Sequence, residues 1–346
     1  METFTTYLRE LLRPILEINS IRKALESRFL FRNFKEDARL YQKYAAAFDA
    51  DKFKNKEAHL ILHYHSLEKG MLFNKMKGGF GAYRLKKLHA ILTDPEIILN
   101  RSKSQVRVGY QVMCQYYELH RQAGYDLEDL FTYAQYNFYK SILGEDYTAA
   151  FRGVLEWTKD QFYTHVDSNF ADFARSRKSV RNFTGEYIAE EVIRKVVELA
   201  NTAPSVCNRQ ASNVYLIQDK IQIERILAVQ GGFAGYEQHV SQLLIVTNDR
   251  RYYYTIGERN QLYIDGGLYL MNLLYALHYY RIGNCPANWG KNIKEELPIN
   301  AVVSIPPSEK IICIVPIGVV PYQFKTTLSQ RRVVSENLIV VDTDTK

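Results

Sequence analysis

Residues 175–183 read RSRKSVRNF and put four cations, Arg175, Arg177, Lys178 and Arg181, into seven positions, with Ser176 and Ser179 among them. Convergent guanidinium and ammonium groups, hydroxyls and backbone amides are the groups that hold a phosphate or a similar oxyanion. From charge alone the alternative is a solvated basic turn. Two dozen residues on, NTAPSVCNRQASN at 201–213 crowds Pro204, Ser205, Asn208 and Gln210 into seven positions, more hydrogen-bonding and turn-forming residues than a connector needs. NCPANWG at 284–290 is a second such loop, and SQRRVVSENL at 329–338 brings a late basic pair, Arg331 and Arg332. No GxGxxG follows a strand and no GxxxxGK[ST] occurs, so neither a dinucleotide fingerprint nor a P-loop explains a phosphate site.

The elements around these loops differ between the two halves of the chain. The first half reads as successive helices. Phe4, Tyr7, Leu8, Leu11, Leu12, Ile15 and Leu16 share one helix face, with Pro14 bending or dividing it. Helical spacing continues over about 20–47, 56–72, 82–92, 103–122, 126–142 and 146–166, with NKMKGGFG at 74–81 the conspicuous breaker. After about residue 167 the pattern changes. A helix is predicted from Ala189 to Thr202, then β-rich runs NVYLIQ, LLIVTN and IICIVPIG at 213–218, 243–248 and 311–318. A long helix is predicted over roughly Asn260–Tyr280, stopping at Gly283. The expected architecture is therefore α+β: a helical domain at 1–166, followed at 167–346 by a sheet flanked by helices.

Composition narrows the class. The chain has 346 residues, enough for two domains or one with a large extension; 47% hydrophobic and 24% charged residues are ordinary for a soluble protein. No run of about 18 apolar residues spans a bilayer, and the start lacks the basic, apolar and small-residue pattern of a secretory signal, so a cytoplasmic location is expected. Cys114, Cys207, Cys285 and Cys313 form no CxxC pair. The net charge of +7 is spread among 38 acidic residues, which argues against a nucleic-acid surface.

The four loops, in this order and at these distances, resemble the nitroreductase family of FMN-dependent oxidoreductases over about residues 170–340. The resemblance rests chiefly on Arg-Lys-Ser-Val-Arg-x-Phe and Ala-Pro-Ser-x-x-Asn-x-Gln. It implies a nitroreductase-like mixed sheet and a bound FMN. In it, Arg177 and Ser179 hold the flavin phosphate and Arg181 reaches the pyrimidine edge of the ring; Lys178 and Arg175 face the phosphate or solvent. A cation at the pyrimidine edge stabilises the charge that reduction places there. Pro204, Ser205, Asn208 and Gln210 match the segment that packs on the flavin, commonly from the other subunit of a homodimer. Pro286, Ala287 and Asn288 match the loop whose backbone points at flavin N5. Pro286 has no amide, so the donor there is the backbone of Asn288 or Trp289. Arg331 and Arg332 resemble the basic pair that closes on the phosphate, with Arg331 favoured. The apolar tail VVSENLIVV would extend across the partner.

Two departures bear on the substrate. Asn288 and Trp289 stand where simpler relatives carry Glu and Gly, and Gln210 continues with Ala211 and Ser212. Trp289 either shapes the pocket or belongs to the core. Asp265, near a helix start, is expected to complement the helix dipole. In the first half, HLILHYHSLEKGM at 59–71 places His59 and His63 at i and i+4 with Glu68 nearby, but no second cluster completes a metal site, and no metal is expected. The residues NKMKGGFGAYRLKK read as a flexible glycine turn before an anion cradle. The basic amphipathic start, diluted by Glu2, Glu10, Glu17 and Glu26, favours packing within the fold over a membrane surface.

The resemblance implies hydride transfer from NAD(P)H through FMN to an organic small-molecule acceptor. Two other functions remain compatible with the residues: a dehydrogenase or oxygen-using, dehalogenating enzyme of the same fold, and a non-catalytic flavin-binding or dimerising module whose helical half binds a partner. Reoxidation kinetics separate the first, and flavin that NAD(P)H cannot reduce would mark the second.

Overall fold

The computed structural model describes residues 19–49, 51–73 and 75–341. The helix predicted over Phe4–Leu16 lies outside them. The helices of the first half are α1 (Asn19–Tyr44), α2 (Phe53–Gly70), α3 (Ala82–Leu92), α4 (Pro95–Leu99), α5 (Ser104–Gln122) and α6 (Tyr133–Leu143). Their packing follows from the apolar stripes: Leu60 and Leu67 of α2, Leu85, Leu88 and Leu92 of α3, and Val112, Met113 and Tyr116 of α5 meet in one core. Phe131 and Tyr139 close it. α6 starts later than its periodicity predicts, because Thr132 and Gln135 form a capping box that sets the first turn.

The helix expected over 146–166 is replaced by β1 (Val154–Thr158) and the short α7 (Lys159–Phe162). β1 pairs antiparallel with β7 (Gln323–Thr327), and the Trp157 indole N–H donates to Thr326 Oγ1 at 2.9 Å. Phe162, Tyr163 and Val166 pack with Phe183 and Phe324 of the second half. Trp157, Phe162, Tyr163 and Val166 therefore share a core with the second half, while Val154 packs against the helical core. A partner strand some 170 positions away overrides local helical spacing here.

The second half continues with α8 (Phe170–Ser176), α9 (Glu190–Ala200), β2 (Ser212–Ile217), α10 (Lys220–Gln230), β3 (Gln242–Asp249), α11 (Gln261–Tyr279), β4 (Gly283–Asn284), β5 (Ala287–Asn288), α12 (Ile293–Glu296), β6 (Glu309–Gly318) and, after β7, α13 (Val334–Asn337). The sheet runs β2-β3-β6-β4, with β5 also on β6. Each ladder among the described residues is antiparallel. Among the described residues the sheet is therefore antiparallel throughout, without the parallel pairing that the expected mixed sheet would include. β3 is buried on both faces, which is why its sequence is an unbroken apolar run. Leu243 and Ile245 join Ile223, Leu227 and Ile314 on one side; Leu244 and Val246 join Ile193, Val196, Leu273 and Leu277 of α9 and α11 on the other.

Candidate functional site

The basic stretch begins where α8 ends. The Asn169 side chain caps the helix, Arg177 takes extended angles (φ −63°, ψ 122°), and no regular element follows until α9. Sheet contacts hold this extended segment. The Val180 amide donates to Asn284 O at 2.8 Å, and that of Thr184 to Val319 O at 2.9 Å. Val180 and Phe183 point into the core. The ring of Phe183 lies so close to Gly318 and Gly283 that an added Cβ would come within 2.9 and 3.2 Å of it. With Val180 and Phe183 spent on packing, the cations stay outside that core, and Arg181 borders a cavity together with Lys69 of the helical half.

Their electrostatics are one-sided. Arg177 and Arg181 are each partly buried, and the Nη1 atom of each is fully buried without a hydrogen-bond partner. Burial pushes Arg177 below the usual arginine range, and Arg331 beside it adds to the shift; burial, Arg331 and Arg177 do the same to Lys178. None of Arg177, Lys178, Arg181 and Arg331 makes an ion pair among the described residues, whereas Arg175 faces Asp172 at 3.6 Å. Ser179 lies against the buried Cys285 thiol, which burial pushes up. Beneath the cluster, His278 of α11 is 1% exposed, meets Ser176 Oγ at 2.8 Å, and is pushed down to about 4 by burial and then by Arg177 and Lys178. Buried cations without counter-ions are costly unless a ligand supplies the charge.

The two late arginines have different fates. Arg332 is held by Glu57 of α2 at 2.7 and 3.0 Å and by Glu336 at 3.2 Å. Glu336 in turn accepts from the amide and hydroxyl of Ser104, both at 2.8 Å, and Gln105 Nε2 donates to Gln330 O at 3.2 Å. These bonds tie residues 330–336 to the helical half and leave Arg331, whose Nη1 donates only to Ser329 O at 2.7 Å, beside Arg177 and Lys178. Arg332 is thus a fastening, not a member of the cation cluster.

A cavity of about 290 Å³ opens beside Arg181, lined by Lys69, Phe233, Cys285 to Asn288 and Lys291. Arg181 also lines a neighbouring space of about 270 Å³ with Phe73 and Tyr236. Asn288 is exposed, and its carbonyl accepts from Gln230 Nε2 at 3.0 Å. The Trp289 side chain turns away into the core, 4% exposed, with its indole N–H on Glu296 at 2.8 Å. Of the two roles open to that side chain, core packing is the one observed.

The stretch at 201–213 lies elsewhere. Cys207, Asn208 and Gln210 have φ values of 49°, 55° and 52°, an unusual concentration of left-handed backbone in residues that carry a Cβ. Ser205 Oγ accepts from the Gln210 amide at 2.9 Å, and Arg209 donates to Tyr252 O at 2.7 Å and pairs with Glu258. Buried Asp265 accepts from Gln261 Nε2 at 2.8 Å, and from Tyr253 Oη and the Val206 amide at 3.3 Å. It anchors this loop, a tertiary role beyond the helix-end one expected. Pro204, Ser205 and Gln210 line a cavity of about 150 Å³ with Asp265 and Tyr269, and none of the cation cluster borders it. Within one chain the two stretches are not brought together.

The histidines of 59–71 diverge: His59 meets Ala46 O at 2.9 Å, His63 meets Arg84 at 3.0 Å, and His65 meets Glu68 at 2.9 Å. What sequence reasoning missed in this tract is Lys69, on the cavity wall; its only local signal is its place at the end of a helix that stops at Gly70.

The nitroreductase-family model matches residues 174–239, from the basic stretch to beyond α10. This segment is nitroreductase-like. Among solved structures, a candidate nitroreductase in complex with FMN from Desulfovibrio desulfuricans is 22% identical, with 51% of this chain and 98% of that one covered and a TM-score of 0.44. A candidate NAD(P)H:FMN oxidoreductase from Staphylococcus epidermidis is 18% identical (50% and 96% covered, TM-score 0.44), and a nitroreductase-like protein from Streptococcus mutans 19% (51% and 99%, TM-score 0.44). No curated protein matches this chain. No helix among the described residues is long and apolar enough to cross a membrane.

Proposed function

We propose that the nitroreductase-like half is an FMN-dependent oxidoreductase that carries hydride from NAD(P)H to an organic small-molecule acceptor. The observation that carries this reading is the pair Arg177 and Arg181, each with a buried Nη1 and no partner, set beside the unpaired cations Lys178 and Arg331. The donor set fits the group. Arg177, Lys178, Ser179 and Arg331 would hold the phosphate, a dianion that relieves the mutual repulsion of the cations. Arg181 would meet the pyrimidine edge, and the backbone of the Cys285 to Trp289 loop would face the ring. The chemistry FMN supplies when bound is acceptance of hydride from a nicotinamide and its delivery to a second substrate.

Pro204, Ser205 and Gln210 border a separate cavity in one chain, and Asn208 lies in the same loop. In this reading they serve the flavin of a second copy, so the working unit is a homodimer. The test is the absorption spectrum of the purified protein, before and after anaerobic NADH and NADPH, with sedimentation alongside. A flavin band, near one FMN per chain and bleached by a nicotinamide, is expected in a dimer. Colourless protein that takes up no added FMN would sink the reading.

A further inference from the structure

The cavity beside Arg181 holds a charge imbalance that FMN alone does not remove. Its lining includes three cations, Lys69, Arg181 and Lys291, and no carboxylate. Lys69 comes from the helical half, outside the matched residues 174–239. It is half-buried and makes no ion pair among the described residues; besides burial, the nearby charges of Arg181 and Arg84 push its ammonium below the usual lysine range. Its position is set from both sides of the molecule. The Tyr236 hydroxyl donates to the Lys69 carbonyl, and the Phe73 ring stacks on Tyr236 with centroids 4.6 Å apart and planes 20° from parallel. Arg84, the helical-half cation that acts on Lys69, meets His63 at 3.0 Å.

We infer that Lys69, with Lys291 at the same wall, forms a subsite for an acceptor carrying a carboxylate, so that the helical half selects the substrate of the nitroreductase-like half. The inference rests on the flavin reading above. There, Arg181 is committed to the pyrimidine edge and the phosphate has its own cations, which leaves Lys69 and Lys291 facing the same space without an anion. A carboxylate supplies the missing charge, held on the side of the cavity that a flavin ring set against Arg181 and the Cys285 to Asn288 loop would leave open. Phe233 provides apolar surface for an aromatic acid.

The test compares para-nitrobenzoate with para-nitrobenzyl alcohol, close in shape but without the charge, by calorimetric titration and by nicotinamide-driven turnover. The proteins are the wild type, Lys69→Met, Lys69→Arg and Lys291→Met, each assayed for FMN content. Loss of one charge-assisted contact predicts that Lys69→Met lowers the preference for the acid over the alcohol by about tenfold. Lys69→Arg should restore most of it, and Lys291→Met should move it in the same direction by less. An unchanged preference in Lys69→Met overturns the inference, as does a loss confined to FMN content or to the NADPH requirement, since either assigns Lys69 to another anion. A wild type that binds no FMN removes the flavin reading, and the titration still decides whether Lys69 holds the acid. Should Lys69→Met fail to fold, the Lys69→Arg and Lys291→Met pair decides, and the acid preference must fall in Lys291→Met for the subsite to stand.

Discussion

The two polar tracts singled out in the sequence, 59–71 and 175–183, look alike on paper and behave in opposite ways in the fold. In the first, each histidine has a partner within the protein, at Ala46, Arg84 or Glu68. In the second, Arg177 and Arg181 keep a buried Nη1 unsatisfied and crowd other cations. A tract whose histidines are paired internally contributes to the fold, and one whose cations are buried unpaired is a candidate ligand site. The first tract has its own unpaired atom, the buried Glu68 Oε1, and Lys69 joins the two: it belongs to the first by sequence and to the cavity of the second by position.

The sharpest way to probe this contrast is acid. His63 and His278 are both held down to about 4, chiefly by burial, with Arg84 and His59 adding to the first and Arg177 and Lys178 to the second. A histidine freed on unfolding titrates near 6.5, so the unfolded state takes up the proton first. Stability is present above about pH 6.5 and is lost as pH falls towards 4, by up to about 3 kcal/mol for each group. Urea titrations across that range should show the loss. Flavin or phosphate should lessen the His278 part, by neutralising Arg177, and leave the His63 part alone.

Removing a waiting cation should cost ligand and spare the fold. Arg177→Met is expected to weaken FMN binding by about 10- to 100-fold in a fluorescence titration, the effect of a lost charge-assisted contact. The unliganded melting temperature should hold or rise, because the repulsion among Arg177, Lys178 and Arg331 falls. A lower melting temperature with unchanged FMN affinity would reverse the contrast. Removing a paired group should do the opposite. Glu57→Gln leaves Arg332 with Glu336 alone and should cost about 2 kcal/mol in urea unfolding. It should also weaken FMN slightly, through the loosened loop that presents Arg331. The smallest effect is expected far from the site: Thr132→Ala, which removes the α6 cap, should cost about 1 kcal/mol and leave FMN binding unchanged.

Much of the fold was legible locally. The cores of α2, α3 and α5, the three long strands and α11 appear within a few residues of where apolar periodicity puts them, because those patterns repeat over spans of about ten residues. So did the basic stretch and the turn-rich loop that carry the family resemblance, since their chemistry is contained in nine and thirteen consecutive residues. Other features were settled by partners far along the chain. β1 reads as helix until β7 pairs with it. Sequence favours Arg331 over Arg332 without separating them, until Glu57, 275 positions away, takes the second. Trp289 is ambiguous until Glu296 and the core claim it. By itself, then, the sequence determined most of the helices and the three long strands, and it marked the basic stretch as a candidate anion site. Which cations are left without an internal ion pair, and that Lys69 of the helical half stands beside one of them, only the tertiary structure decided, because neutralisation and burial depend on which groups meet in space.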